Sequence, residues 1–198
     1  MSSTASQRPP IAAPLGEVMT ERLDLRRFRP EDLDGLAAVF ANPEVWQFPV
    51  GRAFDRDETE AFLNSQMAEW DSCGFGCWIA VERETRRIIG YVGISVPTFL
   101  PEILPAVEVG WRLDPAVWGR GYASEGARAA LAESFTTLGL DEVCSVLQTH
   151  NRASSRVCER IGMRLDRAVV IPASSRRGEL EGLLYKMTRA EWLSLAKR

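Results

Sequence analysis

Apolar and polar residues alternate over residues 21–28, with Leu23 and Leu25 on one side and Arg22, Asp24 and Arg26 on the other. That is the period of a strand with one buried face. Pro30-Glu31-Asp32 follows, a proline that presets a first helical turn and acids that suit the positive end of a helix. Leu33, Leu36, Ala37 and Phe40 then recur at helical spacing until Asn42-Pro43 stops the run. Asp57-Glu58 opens a second helix, with Phe62, Leu63, Gln66, Met67 and Trp70 along one side. Between the helices, residues 45–55 carry Trp46, Phe48 and Phe54 and read as a loop or short helix over a cleft. These aromatics either line a substrate pocket or pack as a lid. Residues 75–81 and 88–96 are apolar strands joined by Glu84-Thr85-Arg86-Arg87 as a hairpin. After the proline-interrupted loop 97–105 comes a third strand of this meander, 107–113.

A helix over 121–138 carries Ala127, Ala130, Leu131, Ser134 and Phe135 at helical spacing and ends at Gly139. A strand at 142–149, a short helix at 153–161 closed by Gly162, strands at 163–171 and 179–187 about a turn at 174–178, and a helical tail at 192–196 complete the order. This succession predicts an α+β (mixed α/β) sheet, not the regular alternation of a doubly wound fold. No repeat or linker divides residues 19–198, which read as one domain. Residues 1–18, rich in Ser, Ala and Pro, read as a loose tail without the basic start or apolar run of a signal peptide.

Composition narrows the classes. At 198 residues, 45% hydrophobic and 26% charged, the chain can bury a sizeable core. A net charge of −3 offers no overall basic field for nucleic acid. No apolar run approaches the roughly 20 residues of a membrane span. Cys73, Cys77, Cys144 and Cys158, with His150 as the one histidine, match no zinc spacing, so no metal is expected. A reduced, cytoplasmic protein with buried thiols fits this usage.

The chemistry is concentrated in residues 107–125, a strand, a glycine-containing turn and the start of a helix. That order aims backbone N–H groups and a helix dipole at one point, which suits phosphate. Along the strand, Val107, Val109, Trp111 and Leu113 point to the core, and Glu108, Gly110 and Arg112 point to a ligand face. The turn Trp118-Gly119-Arg120-Gly121-Tyr122-Ala123 lacks the Gly-Lys-Ser/Thr of a Walker loop. It also lacks the third glycine of a dinucleotide fingerprint, Ser124 standing in that place.

With Asn151-Arg152-Ala153-Ser154 straight after a later strand, these segments resemble the GNAT superfamily of N-acetyltransferases, in particular the RimJ/RimL type that acts on ribosomal-protein N-termini. Glu21-Arg22-Leu23, Leu25-Arg26, Gly90-Tyr91-Val92-Gly93 and Gly162-Met163 belong to the same resemblance. It implies the GNAT acyltransferase fold, a central, mostly antiparallel twisted sheet of about seven strands flanked by helices. It also implies acetyl-CoA as cofactor. Trp111, Arg112 and Leu113 would offer backbone groups to the pantetheine arm. Trp118, Gly119, Arg120, Gly121, Tyr122, Ala123 and Ser124 would form the loop that cradles the pyrophosphate. Asn151 would hold the pantetheine, and Ser154 would sit by the thioester. Arg120, Arg152 and Arg156 either reach the phosphates or are solvated surface residues.

The implied reaction is direct attack of an amine on the thioester. Glu108 is the candidate base, acting through water, or else a group that binds the substrate cation. A backbone N–H near Trp111 would meet the oxyanion. Many relatives carry a tyrosine seven residues beyond the asparagine, where this chain has Cys158. Ser154 is the better candidate for the leaving thiolate, and Cys158 a second. His150 reads as a structural hydrogen bonder rather than a base. One carboxylate with no activated histidine suits a protein or peptide α-amine of pKa about 8 better than a lysine near 10.4. A polyamine or antibiotic acceptor is the alternative, with Glu102, Glu108, Asp55 and Asp57 as acids able to shape the pocket. A non-catalytic acyl-CoA-binding module and a Rossmann-type nucleotide binder are further readings. A homodimer built on the C-terminal strands and Trp192 is open.

Overall fold

Strands and helices form close to where the apolar period placed them. The computed structural model describes residues 9–174 and 177–195. Among these, eight strands form one sheet in the order β1-β2-β3-β4-β5-β6-β8-β7. They are β1 (Val18–Met19), β2 (Leu23–Arg26), β3 (Cys77–Glu82), β4 (Ile88–Ser95), β5 (Glu108–Leu113), β6 (Glu142–Gln148), β7 (Arg164–Ile171) and β8 (Leu180–Thr188). The helices are α1 (Leu33–Phe40), α2 (Arg56–Cys73), α3 (Tyr122–Thr136), α4 (Arg152–Arg160) and α5 (Arg189–Leu195). Every neighbouring pair is antiparallel except β5 and β6. The mixed α+β sheet is thus as expected, with one strand more than about seven: Val18 and Met19 pair with Leu25 and Asp24 at the edge.

That edge corrects the reading of the N-terminus. The Ala12 N–H donates to the Leu138 carbonyl at 2.9 Å, the Leu15 N–H donates to the Gly74 carbonyl at 2.8 Å, and the Trp78 indole donates to the Gly16 carbonyl at 2.8 Å. Leu15 is buried in the core. The described part of the expected loose tail is therefore docked on the domain, because one leucine, two backbone–backbone bonds and one indole bond hold it. Residues 1–8 lie outside the described residues, as do 175–176 in the expected turn and Ala196 in the expected helical tail.

Local signals set the helix ends. Asp55 starts α2 two residues before the expected acids, through a capping box. Its side chain accepts from the Glu58 N–H at 2.8 Å, and Glu58 accepts from the Asp55 N–H at 3.2 Å. Trp192 of α5 packs on Phe135 of α3, with centroids 5.5 Å apart.

Both sheet faces are covered. In β3, Trp78 and Ala80 face the layer of α3, where Ala127, Ala130, Leu131 and Phe135 pack. Cys77, Ile79 and Val81 face α1 and α2, against Leu36, Phe40, Phe54 and Leu63. All six β3 residues are buried, which is why the strand reads as a continuous apolar run. A third cluster places Leu100 from the 97–105 loop over Cys144, Val169, Ile171 and Leu184.

Gly90 fixes how closely β4 and β5 approach. It has φ +126°, and a Cβ there would fall 2.1 Å from the Arg112 carbonyl oxygen and 2.9 Å from Leu113 Cα. Both obstacles are backbone. Gly90→Ala is expected to cost about 3 kcal/mol or more in urea unfolding. Gly16→Ala, with open space around it, is expected to stay within about 0.5 kcal/mol of the parent. Equal stability of the two variants would contradict this β4–β5 contact.

Candidate active site

The parallel pair β5–β6 has one rung. Glu108 stands opposite Cys144, and the Cys144 N–H donates to the Val107 carbonyl at 2.9 Å. A continued parallel ladder would take the Val146 N–H to the Val109 carbonyl. Instead the Glu108 carboxylate accepts it at 2.9 Å. Beyond that bond the strands separate, and a cavity of about 760 Å³ opens between β5, β6, the 118–124 loop, the start of α4 and the 44–49 segment.

Strand alternation sorts the β5 backbone. The Val107 carbonyl faces β6, so Trp111 and Leu113 turn their peptide groups the same way, to the opened edge. Arg112 pairs with Tyr91 and turns its own toward β4. The expected backbone contact from Arg112 to the pantetheine arm is therefore corrected: its peptide groups lie on the wrong edge. Its side chain does something else. The guanidinium stacks on Trp46 at 4.1 Å, donates to the Val45 carbonyl and donates to the Tyr91 hydroxyl at 3.3 Å. The aromatic span over the cleft is thereby both lid and wall. Trp46 stacks on Phe54 with centroids 3.6 Å apart, while Phe48 lines the cavity.

The loop after β5 is shaped by small local bonds. Asp114 accepts from the Ala116 N–H at 3.0 Å, and the Trp118 indole donates to the Leu113 carbonyl at 2.9 Å. Gly119 and Gly121 have φ +75° and +87°, the left-handed region that lets the chain turn directly into α3. Trp118, Gly119, Gly121, Tyr122, Ala123 and Ser124 line the cavity. The Ser124 side-chain oxygen is buried there with no hydrogen-bond partner. Arg120 does not line it; its guanidinium lies 3.6 Å from Glu82 and 3.4 Å from the Tyr122 hydroxyl. The Tyr122 hydroxyl in turn donates to Glu82, so its ring is a buried brace.

On α4, Asn151 accepts from the Ser154 N–H at 3.1 Å, and both residues line the cavity. Arg156 lines it as well, and so does Arg160, which sequence reasoning missed; Arg152 does not. Cys158 is fully buried away from the cavity, and desolvation pushes its thiol up to about 12, poorly placed to protonate a leaving group. His150 is exposed and outside the cavity. Of the acids expected to shape the pocket, Glu108 lines it, while Glu102 pairs with Arg167 at 3.3 Å and Asp55 caps α2. Asp57 does not line it, and Glu44 does. Among the described residues no three His, Cys, Asp or Glu side chains group as a metal site requires.

Gln66 was legible only as an oddity, a polar residue in the apolar stripe of α2. Its side-chain carbonyl oxygen is buried without a partner, and it lines the cavity with Phe62, one turn away. Tyr91, Phe99 and Arg177 join the walls from elements distant in sequence.

Glu108 carries the site's electrostatics. It is buried, it accepts from the Val146 N–H, and among the described residues no ion pair offsets its charge. Desolvation raises its pKa from 4.5 to about 7, the Val146 bond opposing this only in part. The arrangement combines an open strand edge, an anion cradle with an orphaned hydroxyl, and a carboxylate that titrates near neutrality. It can hold an extended phosphate-bearing chain and move a proton at the apex.

Residues 22–164 match the family model described as Acetyltransferase (GNAT) domain. The FsC-acetyl coenzyme A-N(2)-transacetylase of Aspergillus fumigatus is 32% identical over 193 residues, covering 90% of this chain and 78% of the relative. The crystal structure of an acetyltransferase from Agrobacterium tumefaciens aligns with a TM-score of 0.70 and 31% identity, over 91% of this chain and 98% of that one. The ribosomal-protein-S5-alanine acetyltransferase of Vibrio fischeri shares the fold at a TM-score of 0.69 and 18% identity, over 89% of this chain and 98% of that one.

The Glu108 shift has a thermodynamic consequence. Between pH 4.5 and about 7 the folded chain holds a proton that the unfolded chain has released, so stability falls as pH rises through that window. Above it the full cost, on the order of 3 kcal/mol, is present. In Glu108→Gln the amide oxygen keeps the Val146 bond and removes the charge. Urea unfolding is expected to show near-parity with wild type at pH 4.5 and a more stable variant at pH 8. A difference that does not grow with pH would show that Glu108 ionises normally.

Proposed function

Because the chain belongs to the GNAT acetyltransferase family, and is therefore an acetyl-CoA-dependent N-acetyltransferase, we propose that its acceptor is an α-amine, foremost a protein or peptide N-terminus, with Glu108 as the base. The observation that carries this is the buried Glu108 carboxylate at the strand apex, with its pKa near 7. Transfer of a proton from an α-ammonium of pKa about 8 to such a base is uphill by only about 1.4 kcal/mol. From a lysine side chain near 10.4 the same transfer costs about 5 kcal/mol.

The residues present fit acetyl-CoA. Gly110 has nothing within 4 Å of where a Cβ would stand, so the ligand face of β5 is free for an extended arm. Ser124 offers an unpartnered hydroxyl, and Gly119, Gly121, Tyr122 and Ala123 line the same space. In this reading Trp111 and Leu113 bond the pantetheine arm as an added strand would. Gly119, Gly121, Tyr122, Ala123 and Ser124 hold the pyrophosphate, helped by Arg156 and Arg160. Asn151 keeps its amide N–H groups for the arm while its oxygen caps α4. When bound, the cofactor supplies an acetyl group already activated as a thioester.

Glu108 then takes the ammonium proton, directly or through one water. The Trp111 main-chain N–H, at the open edge, is assigned to the carbonyl oxygen as charge develops. Ser154, at the start of α4, is assigned to the leaving sulfur.

A second reading is a small-molecule α-amine, favoured by the name of the Aspergillus fumigatus relative, which states transfer to an N(2) nitrogen. The aromatic walls from Phe48, Phe62, Tyr91 and Phe99 would suit a compact acceptor.

The test is thiol release from acetyl-CoA with N-terminal peptides, polyamines and aminoglycosides. Peptides are expected to be acetylated, with kcat rising about tenfold per pH unit below about 7 and levelling above it. Glu108→Gln is expected to lose about 100-fold or more and to flatten that profile. Turnover with polyamines alone would overturn the α-amine reading. Gly110→Val, which fills the free face with a good strand former, is expected to fold normally and to bind coenzyme A at least about tenfold more weakly by calorimetry. Undiminished binding would place the arm elsewhere.

A further inference from the structure

The phosphate loop is gripped from outside the cavity by a residue that belongs to none of the groups assigned above. Arg22 lies just ahead of β2, 98 positions from the loop it touches. Its backbone N–H and its Nε donate to the two carboxylate oxygens of Glu125 at 2.8 and 2.7 Å, and its Nη2 stands 2.6 Å from the same carboxylate. The Thr20 hydroxyl adds a further donor to Glu125 at 2.6 Å. With its other arm, Nη1, Arg22 donates to the Arg120 carbonyl at 2.8 Å, while its guanidinium lies over the Tyr122 ring at 4.4 Å.

The bond to Arg120 has a directional effect. The Arg120 carbonyl and the Gly121 N–H belong to one planar trans peptide and point opposite ways. Arg22 captures the carbonyl on the outer side, beside α3. The Gly121 N–H is thereby turned inward, where Gly121 lines the cavity. Glu125 sits in the first turn of α3, so the same guanidinium ties the peptide's orientation to the helix whose N-terminus faces that space. A bidentate fork is needed for this, one arm on the carboxylate and one on the carbonyl, which arginine offers and lysine does not.

We propose that Arg22, held by Glu125, is a positioning residue for the cofactor's pyrophosphate, fixing the Arg120–Gly121 peptide so that the Gly121 N–H faces the phosphates. This rests on the acetyl-CoA reading above. Arg22 touches no reacting atom, so its loss should act on cofactor binding and leave the Glu108 pH profile in place.

The experiment is calorimetric titration of the full chain with coenzyme A, joined to amide NMR of the Gly121 resonance. Arg22→Gln keeps the backbone bond to Glu125 and removes the fork. It is expected to bind coenzyme A about tenfold more weakly, equivalent to about 1.4 kcal/mol. The Gly121 amide, which should move strongly on coenzyme A addition in the wild type, should move by less than half as much in the saturated variant. Arg22→Lys, which keeps the charge but not the fork, is expected to lose about threefold and serves if Arg22→Gln fails to fold. Affinity within twofold of wild type, or a tenfold loss with the Gly121 response unchanged, would overturn the positioning role. A wild-type protein that binds no coenzyme A would instead overturn the cofactor reading on which the role rests.

Discussion

Between β5 and β6 a side chain takes the place of a backbone carbonyl. The Glu108 carboxylate accepts the Val146 N–H that a further rung of the ladder would have used. One rung holds the strands together, and one carboxylate both satisfies the next donor and stops the pairing. The cleft, the open edge of β5 and the place of the Glu108 carboxylate all follow from this substitution. A parallel pair zipped to its end would leave no groove for an extended ligand. A pair with no bond at all would leave the Val146 N–H buried and unpaired.

The same contact explains why the acid is unusual. Burial strips water from Glu108, and the described residues return the Val146 N–H and no ion pair. A carboxylate so placed is expensive to ionise and correspondingly useful as a base near neutral pH. Elsewhere the chain treats buried acids differently. Asp32 is met by a bidentate Arg26, with bonds of 2.8 and 2.6 Å, and by the Arg29 N–H at 2.8 Å. Glu82 has Thr85, Tyr122 and Arg120, and its pKa falls, chiefly through the Thr85 hydroxyl. The contrast marks Glu108 as the acid whose destabilisation is retained at the site.

Arginines with two tasks join the layers around this centre. Arg112 starts on β5 and ends stacked on Trp46, so the aromatic segment over the cleft rests on the strand whose edge is open. Arg22 starts ahead of β2 and ends on the loop and helix of the anion cradle. Each combines a planar face against an aromatic ring with forked donors to oxygen, a geometry particular to guanidinium.

What the sequence by itself determined is local. The apolar period marked strands and helices because each buries a face, and the run in β3 is continuous because helices cover both sides. The turn at 118–124 and Asn151-x-x-Ser154 were legible because each site part is made by neighbours in the chain, as backbone turns and caps are. Tertiary structure alone decided what depends on distant partners. The pKa of Glu108 rests on burial and on a donor 38 residues away. Gln66, Tyr91 and Arg160 reach the cavity only once the sheet and helices are assembled. The backbone of Arg112 turns from the open edge because β4 takes it, and residues 9–18 dock because Trp78 and Leu138 offer partners. Period and capping act over a few residues, whereas desolvation and hydrogen bonding between elements exist only in the folded chain.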